Sequence, residues 1–232
     1  MARFLVVASE PMEFPEIVRR AQDVQRPRGL GVNWARSGRI GGNEFLFAAN
    51  GATRKRAGAA IEAVRDMFKP EAIVSTGFCG AVSPELRIAD LVVATAVERD
   101  GERYASLPVS GPPAHRGLVR TLDYVAGSRE ERLKLHSAGA IAVEMEAAAA
   151  AERAALWGLP FYCVKAVTDL ADETLANDFN KALRSDGHFD TIVLLSGALR
   201  HPTPRVPELI RLRGRCVRAA RALGDFFANC RF

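Results

Sequence analysis

The stretch Ala142-Val143-Glu144-Met145-Glu146-Ala147-Ala148-Ala149-Ala150, AVEMEAAAA, joins two kinds of sequence pattern. A short apolar strand pattern runs into Val143, and the alanine run then continues as a helical pattern to Trp157. Strand and helix patterns alternate in the same way along most of the chain. This alternation predicts an α/β fold with a central, mostly parallel mixed sheet flanked by helices.

Length and composition exclude several classes of protein. The chain of 232 residues has 48% hydrophobic residues, which is typical of one globular domain over residues 1–232. No apolar run approaches the ~18–20 residues of a membrane span, and the N-terminal segment lacks a cleavage pattern, so a cytoplasmic protein is predicted. The four cysteines and four histidines show no disulfide or metal-ligand spacing. We therefore expect no metal and no cofactor.

Positive charge is concentrated near the C-terminus. Within residues 205–221 the only acid is Glu208, and apolar residues alternate with arginines, which predicts a basic amphipathic helix at about 206–228. Two interpretations stay open: a docked helix with a solvated basic face, or a peripheral contact with an anionic membrane. Nucleic-acid binding is disfavoured because the segment lacks interleaved stacking aromatics. The arginines are Arg205, Arg211, Arg213, Arg215, Arg218 and Arg221.

Polar residues follow several of the predicted strands. They occur in Ser9-Glu10-Pro11-Met12-Glu13, in Ser75-Thr76-Gly77-Phe78-Cys79-Gly80-Ala81 and in Lys165-Ala166-Val167-Thr168-Asp169. Glu144 and Glu146 stand in the same kind of place, where a strand pattern becomes a helix pattern. Because ligands of α/β sheets gather at the carboxyl ends of strands, these segments predict one shared site.

The same segments resemble the nucleoside phosphorylase and nucleosidase family, whose members cleave purine nucleosides at the glycosidic bond. The likeness rests on residues 76–81 with 84–93, on 143–147 and on 165–173, which occur in the family's order. It covers most of residues 3 to 195. Each block alone would be a weak signal, and together they are specific.

The resemblance implies roles for the acids. Breaking a C1'–N9 bond builds positive charge on the ribose and negative charge on the departing base. Glu146 resembles the family residue that accepts hydrogen bonds from two ribose hydroxyls, with Met145 as an apolar plate against the sugar and Glu144 as a supporting carboxylate. Asp169 resembles the acid that protonates or hydrogen-bonds purine N7. Lys165 stands where relatives often carry arginine, and we expect it to position Asp169.

Further residues of the substrate site follow from the same resemblance. Tyr124 aligns with the aromatic residue that stacks on the base in relatives, and Val125 follows it. A plain core aromatic is the alternative interpretation of Tyr124. Gly77 and Phe78 are assigned to the substrate site, although Phe78 replaces a serine common in the family.

The attacking group is predicted to be water. Phosphorylases of the family carry a phosphate-binding arginine near the N-terminus, and hydrolytic relatives place a glutamate there. Glu13 occupies that place, and a carboxylate repels phosphate. Ser75 replaces a second phosphate-binding arginine. Glu13, together with Glu144, is therefore expected to orient or activate water, and a surface helix acid is the alternative interpretation of Glu13.

These observations predict an enzyme that hydrolyses a 5'-substituted adenine nucleoside, with Asp169, Glu13 and Glu146 as catalytic residues. The alternatives are a phosphate-dependent phosphorylase and a non-catalytic nucleoside- or lipid-binding protein on the same scaffold. The stretch 186–189 and the arginine-rich end also resemble the hopanoid-associated branch of the family, which is thought to act on a lipid-linked adenosine. The family resemblance further implies a homo-oligomer.

Overall fold

The computed structural model of the chain describes residues 1–184 and 187–232. Strands and helices alternate along most of the chain, as the sequence predicts. A short 3-10 turn at Pro11–Glu13 follows the first strand. The strands are β1 Arg3–Ala8, β2 Gln22–Gln25, β3 Trp34–Ile40, β4 Asn43–Ala49, β5 Ala72–Ser75, β6 Phe78–Ala81, β7 Leu91–Arg99, β8 Glu102–Ala105, β9 His115–Thr121, β10 Ala140–Glu144 and β11 Phe161–Asp169. The helices are α1 Pro15–Val18, α2 Arg54–Phe68, α3 Arg129–Ser137, α4 Ala147–Trp157, α5 Phe179–Ala182, α6 Thr191–Arg200 and α7 Pro202–Asn229.

The strands form one sheet in the order β2-β3-β4-β1-β5-β11-β6-β10-β9-β7-β8. Strand β7 also pairs with β11, so β11, β6, β10, β9 and β7 close into a ring. Among the described residues, six strand pairings are parallel and five are antiparallel. The fold class is confirmed as α/β with a mixed sheet flanked by helices, and parallel pairings have only a small majority.

Two apolar layers bury the two faces of the sheet. One face packs against α2 and α4, where the small side chains of the alanine run let α4 approach the strands closely. The other face packs against α1 and the C-terminal half of α7, which contributes Leu223, Phe226 and Phe227 to the core. At ~25 cal/mol per Å² of apolar surface, such burial is the main stabilising contribution.

The C-terminal helix is therefore docked on the sheet. It spans Pro202–Asn229, somewhat more than the predicted 206–228, and its C-terminal apolar face is buried in the core. The position favours the docked-helix interpretation, because that face is not available to a membrane. Among the described residues, no helix combines the length and the apolar character that crossing a bilayer requires.

The segment after β1 differs from the sequence prediction. A helical pattern over Pro11–Val24 predicts one helix, but the structure has the 3-10 turn, the short helix α1 and then the edge strand β2. Pro15 begins α1 and separates it from the 3-10 turn. The four residues of β2 are all exposed, so no hydrophobic alternation marks them as a strand.

Candidate active site

A cavity of about 340 Å³ opens where several strands end. Of the predicted site residues, Gly77 and Lys165 do not line the cavity; Gly77 lies behind Glu13, and Lys165 lies beneath the acids. The predicted residues that line it are Glu13, Phe78, Tyr124, Val125, Glu144, Met145, Glu146 and Asp169. The structure thus brings three acids that are far apart in the sequence into one cavity. Their catalytic roles remain predictions.

Glu13 is held rigidly at the end of the 3-10 turn. Its Oε1 accepts a hydrogen bond of 2.7 Å from the Phe78 amide, and its Oε2 accepts one of 2.7 Å from the Glu10 amide. The residue is only 4% exposed, so it is not the solvated helix acid of the alternative interpretation. Burial raises the pKa of Glu13 to about 7, although both amides and Lys165 act to lower it. At neutral pH the carboxyl can therefore exchange a proton with water.

Glu144 is bound from several sides and serves the local structure. Its Oε2 accepts hydrogen bonds from the amides of Glu146 and Ala147, at 2.9 and 2.8 Å, which satisfies free amides at the start of α4. The same oxygen lies 2.9 Å from Lys165 Nζ, and Oε1 accepts a hydrogen bond from the Thr121 hydroxyl. Burial acts to raise the pKa of Glu144, but Lys165 and these hydrogen bonds outweigh it and lower the pKa. With both oxygens occupied, the structure favours a positioning role over contact with water.

Glu146 interacts with the Lys165 ammonium group less closely than Glu144 does. It is 4% exposed, and its Oε2 lies 3.6 Å from Lys165 Nζ, farther than the Glu144 oxygen. Burial raises the pKa of Glu146 to about 8, with further increases from Glu144 and Glu13 and opposing effects of Lys165 and the Ser9 hydroxyl. A protonated carboxyl here could both donate to and accept from neighbouring hydroxyls.

The prediction that Lys165 positions Asp169 is wrong. Lys165 is fully buried and binds Glu144 and, at 2.8 Å, the carbonyl oxygen of Thr76. The two residues are four apart on β11, and a strand rises ~3.3 Å per residue, so they are ~13 Å apart along the strand. That separation exceeds the reach of a lysine side chain.

Arg132, from α3, holds Asp169 instead. Its Nη2 donates to Asp169 Oδ2, and the Thr168 hydroxyl donates to Oδ1 at 2.8 Å. The guanidinium is 1% exposed and also donates to the carbonyl oxygens of Ala126 and Leu170, at 3.0 and 2.7 Å. Sequence reasoning missed this residue because an arginine within the polar run Arg129–Ser137 carries no signal of burial.

Tyr124 and Val125 follow β9 at the side of the cavity. The Val125 amide and carbonyl bond the side chain of Asn180, at 2.7 and 2.9 Å, which fixes the segment in place. Tyr124 is 43% exposed, so the core interpretation of this aromatic is wrong. Stacking of Tyr124 on a base remains a prediction.

The outer wall of the cavity is apolar. It is built by the segment after β11, by α6 and by α7, and the rings of Phe179 and Phe189 meet edge to face with centroids 6.0 Å apart. In the stretch 186–189 that the sequence analysis singled out, Phe189 belongs to this wall and Asp186 lies outside the described residues. The wall residues are Met12, Leu175, Phe179, Phe189, Leu194, Leu212 and Cys216.

Acidic groups outnumber basic groups in the described lining of the cavity. Among its described lining residues, five carry carboxyl groups and Arg132 alone carries a guanidinium or an ammonium group. Arg132 is committed to Asp169. Apart from that guanidinium, a bound anion would meet carboxyl groups, apolar side chains and the hydroxyls of Ser9, Tyr124 and Thr168. The acids are Glu10, Glu13, Glu144, Glu146 and Asp169.

The ring of strands and the acid-lined cavity at their ends define an α/β protein with a cavity between carboxyl groups and an apolar wall. The sequence profile of the Phosphorylase superfamily matches residues 3–109 and 106–188. The chain belongs to this superfamily, as the sequence resemblance predicts.

Two curated relatives of the chain share one name. The 5'-methylthioadenosine/S-adenosylhomocysteine nucleosidase of Geobacillus kaustophilus is 26% identical over 190 residues, 68% of this chain and 81% of the relative. The enzyme of the same name from Staphylococcus aureus is 29% identical over 159 residues, 56% of this chain and 70% of the relative. The prediction of an enzyme of the nucleosidase type agrees with these names.

Solved structures share the fold. The S-adenosylhomocysteine nucleosidase of Streptococcus pyogenes, in complex with 5-methylthiotubericidin, superposes with a TM-score of 0.70 at 20% identity, over 98% of this chain and 96% of that one. Futalosine hydrolase of Helicobacter pylori gives a TM-score of 0.72 at 16% identity, over 97% of this chain and 95% of that one. At such identities the likeness shows the fold alone.

Proposed function

We propose that this member of the phosphorylase superfamily hydrolyses the N-glycosidic bond of a 5'-substituted adenine nucleoside. The names of the curated relatives support the reaction class. The observation that carries the proposal is Glu13, a buried carboxyl held by two amides in the same cavity as Glu146 and Asp169.

The reaction assigns one task to each acid. Glu146 bonds the ribose 2'- and 3'-hydroxyls and steadies the positive charge that develops on the sugar, with Met145 against its apolar side. Glu13, with a pKa of about 7, takes a proton from water as the water oxygen bonds to C1'. The C1'–N9 electron pair leaves with the base. Asp169 donates a proton to N7, the proton that Glu13 has taken returns to Asp169 through solvent, and the products are adenine and the 5'-substituted ribose.

Water is favoured over phosphate on electrostatic grounds. A phosphate ion would enter a cavity with five carboxyl groups, of which Glu13 and Glu146 are partly protonated near pH 7, and one guanidinium that is already paired. Unit charges of the same sign ~4 Å apart repel by ~4 kcal/mol at an effective dielectric constant of ~20. Neutral water carries no such cost.

We extend the proposal to the 5' substituent, which we take to be apolar. The wall around Phe179, Phe189, Leu194 and Leu212 offers hydrocarbon contacts, and its described residues include no cation for a 5'-phosphate. A methylthio group fits this chemistry, and so does a longer hydrocarbon chain such as that of a lipid-linked adenosine in hopanoid side-chain synthesis. The resemblance of the arginine-rich end to the hopanoid-associated branch supports the longer chain.

Adenine release tests the proposal directly. Purified protein is incubated with 5'-methylthioadenosine and with a 5'-alkyl adenosine, with and without phosphate, and the base and sugar products are separated by chromatography. Hydrolysis yields the 5'-substituted ribose in both conditions, whereas a sugar 1-phosphate that forms only with phosphate would establish the phosphorylase alternative.

Two variants and one control separate catalysis from binding. We expect Glu146→Gln and Asp169→Asn to lower kcat/KM by at least ~10²-fold, the usual contribution of an acid–base group. Glu130→Gln removes a fully exposed acid of α3 and should leave turnover unchanged. Substrate binding without any release of base by the unaltered protein would establish the non-catalytic binding protein instead.

A further inference from the structure

Helix α6 has an apolar side that no other described part of the chain covers. Ile192, Leu195 and Leu199 recur at helical spacing and are 78%, 52% and 74% exposed. On the other side of the helix, Leu194 lines the cavity and Ala198 is buried. A helix that is apolar on both sides needs a second apolar environment.

Arginines outnumber acids in the two helices that carry and neighbour this stripe, Ile192, Leu195 and Leu199, and the acid Asp190 caps the start of α6. Arg200 ends α6 and is exposed, and the neighbouring helix α7 exposes Arg211 and Arg213. Between Thr191 and Arg221 the only acid is Glu208, which is 2% exposed. The two helices are joined by a bond of 2.9 Å from Arg205 Nη1 to the carbonyl oxygen of Gly197.

We propose that the stripe and the flanking arginines dock the protein on the surface of an anionic phospholipid membrane. Exposed aliphatic side chains beside cationic ones match the layering of acyl chains beneath anionic headgroups. The contact is peripheral. It differs from the membrane contact predicted for the C-terminal helix, because the apolar face of that helix is buried in the core.

A second copy of the chain fits the stripe less well. Three aliphatic side chains supply at most ~400 Å², about half of the ~800 Å² that each partner buries in a standard interface. A twofold contact through this face would also bring the arginines of both copies together, and like charges oppose such a contact. Anionic headgroups attract these arginines instead of repelling them.

Docking here would place the cavity next to the bilayer. The stripe and the cavity residue Leu194 are on opposite sides of one helix, which is ~10 Å across. An apolar 5' chain could pass from the membrane to the wall around Phe189 and Leu212 without crossing bulk water. This consequence rests on the proposed function, whereas membrane docking itself does not.

Vesicle sedimentation tests the docking. The full chain is mixed with vesicles of phosphatidylcholine alone or with added phosphatidylglycerol. We expect it to sediment with the anionic vesicles, and the triple variant Ile192→Ser, Leu195→Ser, Leu199→Ser to lose at least ~10-fold in bound fraction. Leu156→Ser is the matched control. This α4 side chain is 76% exposed, and its substitution should leave the vesicle-bound fraction unchanged.

Two arginine substitutions test how much charge contributes to membrane binding. Arg200→Gln with Arg213→Gln should weaken binding to anionic vesicles and reduce its salt dependence. The proposal is overturned if the unaltered protein stays in the supernatant with anionic vesicles, or if the triple variant binds as well. It is also overturned, in favour of self-association, if the triple substitution turns a dimer into a monomer without lipid.

Activity separates this inference from the proposed function. The triple variant should release adenine from water-soluble 5'-methylthioadenosine at the unaltered rate, because none of the three side chains lines the cavity. If the unaltered protein releases no adenine, the proposed function fails, and the vesicle result still decides the docking.

Discussion

Gly77 allows the Glu13 carboxylate to approach the backbone at the start of β6. Its φ of +110° is rarely adopted by residues with a side chain. A Cβ at this position would lie 2.3 Å from Glu13 Oε1, well inside contact distance. One glycine outside the cavity therefore fixes the direction of an acid inside it.

Gly77→Ala should displace Glu13 and reduce kcat/KM by ~10-fold or more, because a misplaced acid no longer meets the water. The control is Gly139→Ala, whose φ of +91° is equally unsuited to alanine but whose Cβ would meet no atom within 4 Å. Both variants should lose ~1–3 kcal/mol of stability from backbone strain. Equal activity in the two variants would contradict the proposed role of Gly77.

Arg132 has a comparable role for Asp169. Arg132→Lys keeps the charge but loses the fork that bonds Asp169 and two carbonyl oxygens. We expect kcat to fall ~10–100-fold with little change in KM, and Asp169→Asn to cost less in this background than alone. Arg129→Lys, on the exposed side of α3, is the control. Additive effects of the two substitutions would argue that Arg132 serves stability alone.

The acids of the cavity could be predicted from the sequence, whereas their partners could not. Glu13, Glu146 and Asp169 each follow a strand pattern, and strand ends converge in an α/β sheet. Arg132 comes from a helix whose other charged residues face solvent, and its burial depends on how α3 packs against β10. The partner of Lys165 depends on pairings between strands that a single sequence does not reveal.

At the scale of elements, α7 holds the segment that follows Asp169. Buried Glu208 accepts hydrogen bonds of 2.8 Å from the amides of Ala176 and Asn177, and Arg215 forms a two-bond ion pair with Glu173. Arg215 is therefore a structural residue, although the sequence places it in the basic face. The segment also carries Leu175 of the cavity wall.

Glu208→Ala should loosen this segment and lower the free energy of unfolding by ~2–4 kcal/mol, because it leaves buried donors without an acceptor. Amide exchange at Ala176 and Asn177 should become faster. Asp225→Ala in the same helix removes an exposed partner of Arg20 and is expected to change stability by no more than ~1 kcal/mol. Unchanged amide exchange in Glu208→Ala would contradict the conclusion that Glu208 holds Ala176 and Asn177 in place.

Some strands and helices can be predicted from the sequence, and others cannot. Buried strands and α4 follow from apolar runs and helical periodicity, which burial enforces. The exposed strand β2 has no such periodicity, and its pairing with β3 is a tertiary contact. Helix α7 spans Pro202–Asn229, and which arginines it buries depends on the loop it contacts.

At the scale of the whole molecule, the fold buries three carboxyl groups of the cavity and, beneath them, the ammonium group of Lys165. The pKa values of Glu13 and Glu146 are raised to about 7 and about 8 from 4.5, with burial as the largest cause. The folded state thus holds these protons at pH values where the unfolded chain has released them. Stability from this source is complete below pH ~4.5 and is lost as pH rises toward ~8.

The free energy of unfolding should therefore be higher at pH ~5 than at pH ~8.5, with Glu13 contributing at most ~3 kcal/mol of the difference. Glu13→Gln mimics the protonated form and should reduce this dependence while it abolishes turnover. Urea titrations at both pH values provide the measurement, with Glu62→Gln as an exposed control. A wild-type stability that rises between these pH values would contradict the assignment.

The charge balance of the cavity also bears on which adenine compounds the protein leaves intact. ATP, AMP and RNA ends carry phosphates at the 5' position, where the cavity has hydrocarbon and carboxyl groups and its guanidinium is paired with Asp169. Binding any of them would bury negative charge against negative charge. If the proposed function holds, the cavity therefore discriminates against 5'-phosphorylated adenine compounds.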